Sequence, residues 1–129
     1  MIELYDKLKA IAESEYEDIV TSTKILGKRT LGSAKLRIFF KDVTYLDVWI
    51  GPSGKYSYHW EQRAQRGTIY RHDNAPDFPR IKTYPQHLHD GNERNIQPSY
   101  VDTNPTIAIK QVLTTIKQRL EEASLEEQQ

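Results

Sequence analysis

Apolar residues return at three- and four-residue steps near the start of the chain. Leu4, Leu8, Ile11, Ala12, Tyr16, Ile19 and Val20 form one stripe, with Lys and Glu between them. That spacing predicts an amphipathic helix over residues 3–24, and Gly27 just beyond it suits a stop. The period then changes to two. Leu36, Ile38 and Phe40 alternate with polar or aromatic neighbours in 35–41, as do Leu46, Val48 and Ile50 in 45–50. Tyr56, Tyr58 and Trp60 repeat the pattern in 55–61, and Ile69 and Arg71 continue it in 68–72. Short links between these runs predict four strands in an antiparallel meander. After Asn74 the period is lost, and Pro76, Pro79, Pro85 and Pro98 punctuate a long segment. A loop of more than about 15 residues in a small domain is functional or disordered. Helical spacing resumes over 105–122 with Ile107, Ile109, Val112, Leu113, Ile116 and Leu120. Pro105 suits its first turn, and Asn104 or Thr103 suits its cap.

The predicted fold is α+β: a four-stranded antiparallel meander with N- and C-terminal helices packed on one face and a long loop before the last helix. Residues 1–129 are read as a single domain whose acidic tail, about 121–129, frays.

Turn chemistry sets the expected register. Around Asp42-Val43-Thr44, pairing Phe40 with Leu46 aligns Ile38 with Val48 and Leu36 with Ile50. Gly51-Pro52-Ser53-Gly54-Lys55 fits a three-residue loop with a left-handed Gly54. Ile50 then faces Tyr56, Val48 faces Tyr58 and Leu46 faces Trp60. On the opposite face, Asp47 lies across from His59, Trp49 from Ser57 and Tyr45 from Glu61. Cross-strand neighbours have β-carbons about 5 Å apart, so Asp47 is within reach to orient His59. The fourth strand is expected to add Tyr70 and His72 to this polar face. A one-residue bulge in the 62–67 link would bring Arg71 there instead.

Composition narrows the function. Eighteen Lys and Arg balance eighteen Asp and Glu, so the whole chain is not a basic nucleic-acid glove. The balance hides a gradient: residues 52–99 hold seven Lys and Arg, five acids and all four His. Cysteine is absent, which removes disulfides, thiolate nucleophiles and Cys-based zinc sites. Eight Tyr, two Trp and three Phe supply core material and argue against disorder. No basic-then-apolar leader and no run near 20 apolar residues is present, so a cytoplasmic, membrane-free chain is expected.

Each candidate residue also has a plain reading. Asp47 opposite His59 fits a surface pair. Asp73-Asn74-Ala75-Pro76 fits a turn in which Asp and Asn bond their own backbone. Tyr56, Tyr58 and Trp60 fit a core stripe. His87-x-His89 points both rings the same way only on a strand; with His59 or Asp73 it would then make a metal clip.

Four sequence elements belong together. They are Tyr58-His59-Trp60, Tyr70-Arg71-His72-Asp73-Asn74-Ala75-Pro76, Thr83-Tyr84-Pro85-Gln86-His87-Leu88-His89, and Gln97-Pro98-Ser99. In this order they resemble the TumE-type family, the toxin component of prokaryotic toxin–antitoxin modules. The resemblance implies that His59, Arg71, Asp73, Asn74, His87 and His89 are the functional positions, and that an antitoxin is the partner. Family members often carry His where this chain has Asp77-Phe78 and Gln86. That leaves fewer His than a four-ligand metal site uses and leaves a one-base, one-Arg mechanism intact.

The first expected function is therefore an RNA-directed toxin, a metal-independent endoribonuclease without cofactor. The helix-then-sheet order is similar to the small RNase toxins of the RelE and barnase kind. His59 would be general base oriented by Asp47, Arg71 would hold phosphate, and His87 or His89 would be general acid. Tyr58, Trp49, Tyr70, His72, Asp73, Asn74 and Lys82 are the expected binding residues. The alternatives are a non-catalytic nucleotide-, RNA- or protein-binding module and a hydrolase whose metal sits on His87, His89 and Asp73. Exposed Trp49 and Phe39 are compatible with a ligand face or a homodimer.

Overall fold

The computed structural model describes residues 2–28 and 32–127. Helix α1 (Ile2–Glu15) is followed by strands β1 (Val20–Leu26), β2 (Lys35–Phe40), β3 (Tyr45–Ile50) and β4 (Tyr56–Gln62). One helical turn, α2 (Arg63–Arg66), leads to β5 (Thr68–Asp73). Strands β6 (His87–Gly91) and β7 (Ile96–Pro98) and helix α3 (Pro105–Glu127) complete the chain. The sheet has seven strands in sequence order, and every neighbouring pair is antiparallel.

The α+β class stands, but the expected four-stranded meander is corrected to a seven-stranded sheet with three α-helices among the described residues. Residues 20–24, expected to be helical, belong to β1. The chain turns at Tyr16–Ile19, where the amides of Ile19 and Val20 both bond the Tyr16 carbonyl at 3.0 and 2.9 Å. Val20, Thr21, Thr23 and Ile25 are β-branched, which favours a pleated strand. β6 and β7 lie within the segment expected to be a loop, whose first part, residues 74–86, is irregular. The tail expected to fray is helical through Glu127; residues 128–129 lie outside the described residues.

The sheet has two unlike faces. Leu36, Ile38, Phe40, Leu46, Val48, Tyr58 and Trp60 lie under α1 and α3 and are nearly inaccessible. The Tyr5 hydroxyl ties α1 to the sheet, donating to the Ala34 carbonyl at 2.9 Å and accepting from the Ile50 amide at 3.0 Å. Arg119 on α3 donates through two nitrogens to Asp90 on β6, both at 2.8 Å. Asn104 caps α3, its side-chain oxygen accepting from the Thr106 amide at 3.0 Å.

The β3–β4 register is the expected one, with Asp47 opposite His59 and Trp49 opposite Ser57. The β2–β3 register is tighter than expected. Ile38 pairs with Leu46 and Leu36 with Val48, because the Phe40 amide already bonds the Thr44 carbonyl at 2.9 Å. This slip of two positions keeps every side chain on its expected face.

Candidate functional site

The opposite face of the sheet is polar by construction. A period of two along Arg71-His72-Asp73 turns Arg71 and Asp73 to one side and His72 to the other. The same period along His87-Leu88-His89 turns both histidines together. β5 and β6 pair so that Arg71 faces His89 and Asp73 faces His87. These four residues therefore form one patch of two by two. His59 on β4 lies opposite Arg71, and Asp47 on β3 opposite His59. A row of Arg37, Asp47, His59, Arg71 and His89 crosses five strands.

The link between β4 and β5 decides which residues of β5 join that row. Arg63–Arg66 make a single turn that ends on Gly67 at φ 71°, a left-handed conformation that glycine adopts without strain. The chain returns with Gln62 opposite Thr68 and Trp60 opposite Tyr70. Arg71 thus joins the polar face, while Tyr70 and His72 go to the core. This reverses the expected placement.

Within the row the bonding is specific. Asp47 does not orient His59: it accepts from Arg37 Nε at 2.8 Å, Arg37 Nη2 at 2.9 Å and Lys35 Nζ at 2.9 Å. Burial pushes the Asp47 carboxyl up, but these two cations outweigh it and hold the group below the usual carboxylate range. His59 is held by its neighbour Glu61, whose Oε1 lies 3.2 Å from Nε2. Arg63 bonds Glu61 through side chain and backbone and keeps its carboxyl down to about 2. Arg71 Nη1 stands 3.4 Å from His59 Nδ1. Its other contacts are to Asp73 at 2.9 Å and to Glu93 at 2.8 and 2.7 Å. With Glu61 accepting from Nε2–H, the His59 lone pair lies on Nδ1 and faces Arg71.

Two concavities share Trp49 and Ser57 as a wall. One, of about 380 Å³, holds Lys35, Arg37 and Arg63 against Asp47 and Glu61, with His59 and Tyr45 beside them. The other is a cleft of about 470 Å³ with Lys55 and Arg71 against Asp73, Asp77 and Glu93. The first carries excess positive charge and the second excess negative charge. The start of the connection between β5 and β6, residues 74–78, lines the cleft and packs the Phe78 ring on His87 and His89, with centroids 4.8 and 5.7 Å apart.

The family model for Toxin TumE matches residues 7–120. The chain belongs to the TumE toxin family. No curated protein and no solved structure matches it. Membership in a toxin family implies an antitoxin partner. No helix among the described residues is long and apolar enough to cross a membrane.

The TumE elements fall on β4, β5 with the turn after it, β6 with its approach, and β7. The fold brings their His59, Arg71, Asp73, His87 and His89 to one face. Other expected site residues sit elsewhere. Tyr58, Tyr70 and His72 are core residues. Asn74 is a staple, accepting from the Tyr56 amide at 3.0 Å and donating to the Gly54 carbonyl at 2.9 Å. Lys82 is exposed on the connection, outside both concavities. Trp49 lines both, its indole nitrogen donating to the Gly32 carbonyl at 3.1 Å. Glu61, Arg63, Phe78 and Glu93 were missed. Only Glu61 had a signal: it shares a strand face with His59, two residues away. Glu93 reaches Arg71 from a turn that only the β6–β7 pairing places there.

Buried His72 carries its own prediction. Its Nε2 meets the Tyr70 hydroxyl at 2.8 Å and its Nδ1 the Ser99 hydroxyl at 2.7 Å. Burial lowers its pKa from 6.5 to about 4. The unfolded chain binds a proton near pH 6.5 that the folded chain refuses until about pH 4. Stability is therefore full above pH 6.5 and falls between 6.5 and about 4, by about 3 kcal/mol from this group. Urea midpoints across that window should drop in the native chain and flatten in His72→Gln. An unchanged slope in the variant would assign the loss to other groups.

Proposed function

We propose that this TumE-family toxin cleaves RNA at the concavity around His59. The observation that supports it is the juxtaposition of His59 Nδ1 with Arg71, beside a basic hollow walled by Trp49. The scissile phosphate meets Arg71 beside His59 Nδ1, the hollow's Arg37, Lys35 and Arg63 take a flanking phosphate, and a base stacks on Trp49. Arg71 turns its Nη1 from His59 Nδ1 to the phosphate, and the 2′-oxygen of RNA attacks phosphorus while its proton passes to the freed Nδ1. Glu61 stabilises the resulting imidazolium through Nε2–H. The bond from phosphorus to the 5′-oxygen breaks, and that oxygen takes a proton from water.

This scheme leaves a 2′,3′-cyclic phosphate and a 5′-hydroxyl. It replaces Asp47 with Glu61 as the orienting carboxylate. It also withdraws His87 and His89 as general acids, since each Nδ1 lies 3.0 Å from a backbone carbonyl and the two Nε2 atoms face each other. Glu93, 54% exposed in its side chain, occupies the Arg71 edge that a phosphate would take, so substrate competes with it.

Inducing the chain without an antitoxin should arrest growth and leave cellular RNA with cyclic-phosphate ends. Arrest with intact RNA would overturn the reading. If RNA bound the purified protein without turnover, the site would be a binding module instead.

A further inference from the structure

We infer that Asp73, His87 and His89 form a binding site for one divalent transition-metal ion, with an open position toward the cleft. Its three ligands take no part in the RNA reading.

His87 Nδ1 lies 3.0 Å from the Pro85 carbonyl oxygen, and His89 Nδ1 lies 3.0 Å from the Glu93 carbonyl oxygen. A carbonyl only accepts, so both Nδ1 atoms carry hydrogen. Each neutral ring then presents its lone pair at Nε2. These two acceptors face each other at 3.1 Å. The Asp73 carboxylate closes the triangle, 3.1 Å from His87 Nε2 and 3.8 Å from His89 Nε2. Three acceptors converging on one point call for a cation between them.

The spacing suits a metal. Ligands about 2.1 Å from a tetrahedral ion lie about 3.4 Å from one another, inside the observed range. The surroundings match the outer support that metal ligands use. Backbone carbonyls fix both imidazole tautomers. Arg71 Nε and the Ala75 amide hold one Asp73 oxygen each, at 2.9 and 3.0 Å. Adjacent strands carry all three ligands, His87 is 1% exposed, and Phe78 packs on both rings. Two imidazoles and one carboxylate favour Zn²⁺ or a similar borderline ion over Mg²⁺ or Ca²⁺, which prefer all-oxygen sets. Asp73 and His89 also line the 470 Å³ cleft, whose three carboxylates outnumber its two cations. An ion bound there keeps one side open to water or a ligand oxygen.

The test uses untagged full-length protein, stripped with a chelator. Co²⁺ is titrated in while its visible absorption is followed, Zn²⁺ is used to displace it, and thermal unfolding is measured with each ion alone. One ion per chain, displacement by Zn²⁺ and a raised melting temperature are expected. Asp73→Asn and His89→Gln should each weaken binding at least about tenfold, with folding checked by urea titration. If buried ligands prove intolerant of substitution, the native stoichiometry and absorption still decide. Absence of stoichiometric uptake overturns the site and leaves a shared proton as the cation. Uptake insensitive to His89→Gln but lost in His59→Gln also overturns it, by moving the ion to His59 and Glu61. No readout involves RNA, so this site and the RNA reading fail separately.

Discussion

His59→Ala is expected to abolish growth arrest while the protein stays folded. The side chain sits on the polar face, away from the apolar core, so truncation leaves the core packing untouched. Removing a positioned general base costs about 10²- to 10⁴-fold in rate. A toxin whose cellular effect depends on turnover loses its phenotype over that range. Glu61→Gln should give a smaller loss, because it keeps the shape and a weaker acceptor beside His59 Nε2 while removing the charge that stabilises the imidazolium. The measurements are colony survival on induction, cyclic-phosphate ends in total RNA, and the urea midpoint of each purified variant. Full arrest by a folded His59→Ala protein would remove His59 from the mechanism and take the proposed chemistry with it.

Trp60→Ala should be the most damaging single change to stability, costing about 4 kcal/mol. Trp60 lies on the central strand of seven and is 2% exposed. Its ring meets Phe40 and Tyr70 edge-on, with centroids 6.3 and 6.2 Å away. The indole nitrogen donates to Thr44 Oγ1 at 2.8 Å, and Thr44 in turn donates to Asp42 at 2.6 Å. Truncation therefore opens a cavity under both helices and frees a buried hydroxyl. Domains of this size hold about 5–15 kcal/mol in total, so the variant should unfold at much lower urea. Trp60→Phe keeps most of the volume and loses the hydrogen bond, and should cost about 1–2 kcal/mol. A Trp60→Ala midpoint close to the native one would mean that the core is organised around other residues.

His59 and Trp60 lie on opposite faces of the same strand, and the sequence makes both placements legible. Tyr58-His59-Trp60 alternates apolar and polar positions, so burial of one side dictates exposure of the other. The turn at Pro52–Gly54 then fixes the pairing with β3, and Asp47 opposite His59 follows. Opposite positions need not bond, and the strand pattern does not encode which do. Lys35 and Arg37 on β2 outcompete His59 for Asp47, and a carboxylate goes to the strongest donors within reach.

β1 is not legible in the sequence because the spacing of Tyr16, Ile19 and Val20 matches a helix as well as a tight turn entering a strand. β6 was missed because its alternation is His-Leu-His, in which the polar side carries the candidate chemistry and only one residue enters the core. Period counting on apolar residues has no signal there. The outward turn of Arg71 depended on how many residues α2 and Gly67 take to reverse the chain. A shift of one residue in that link exchanges the faces of a whole strand.

Taken alone, the sequence determined the α+β class, the two flanking helices, four of the strands, the β3–β4 register and the family. All of these follow from short-range periods, turn residues or ordered motifs. The tertiary structure decided the number of strands, the face that Arg71 shares with His59, the exchange of Asp47 for Glu61, and the convergence of two imidazole lone pairs on Asp73. The last set depends on competition between side chains from separate strands and on backbone carbonyls that select tautomers. Distances across the sheet set those outcomes, and no local pattern in the chain encodes them.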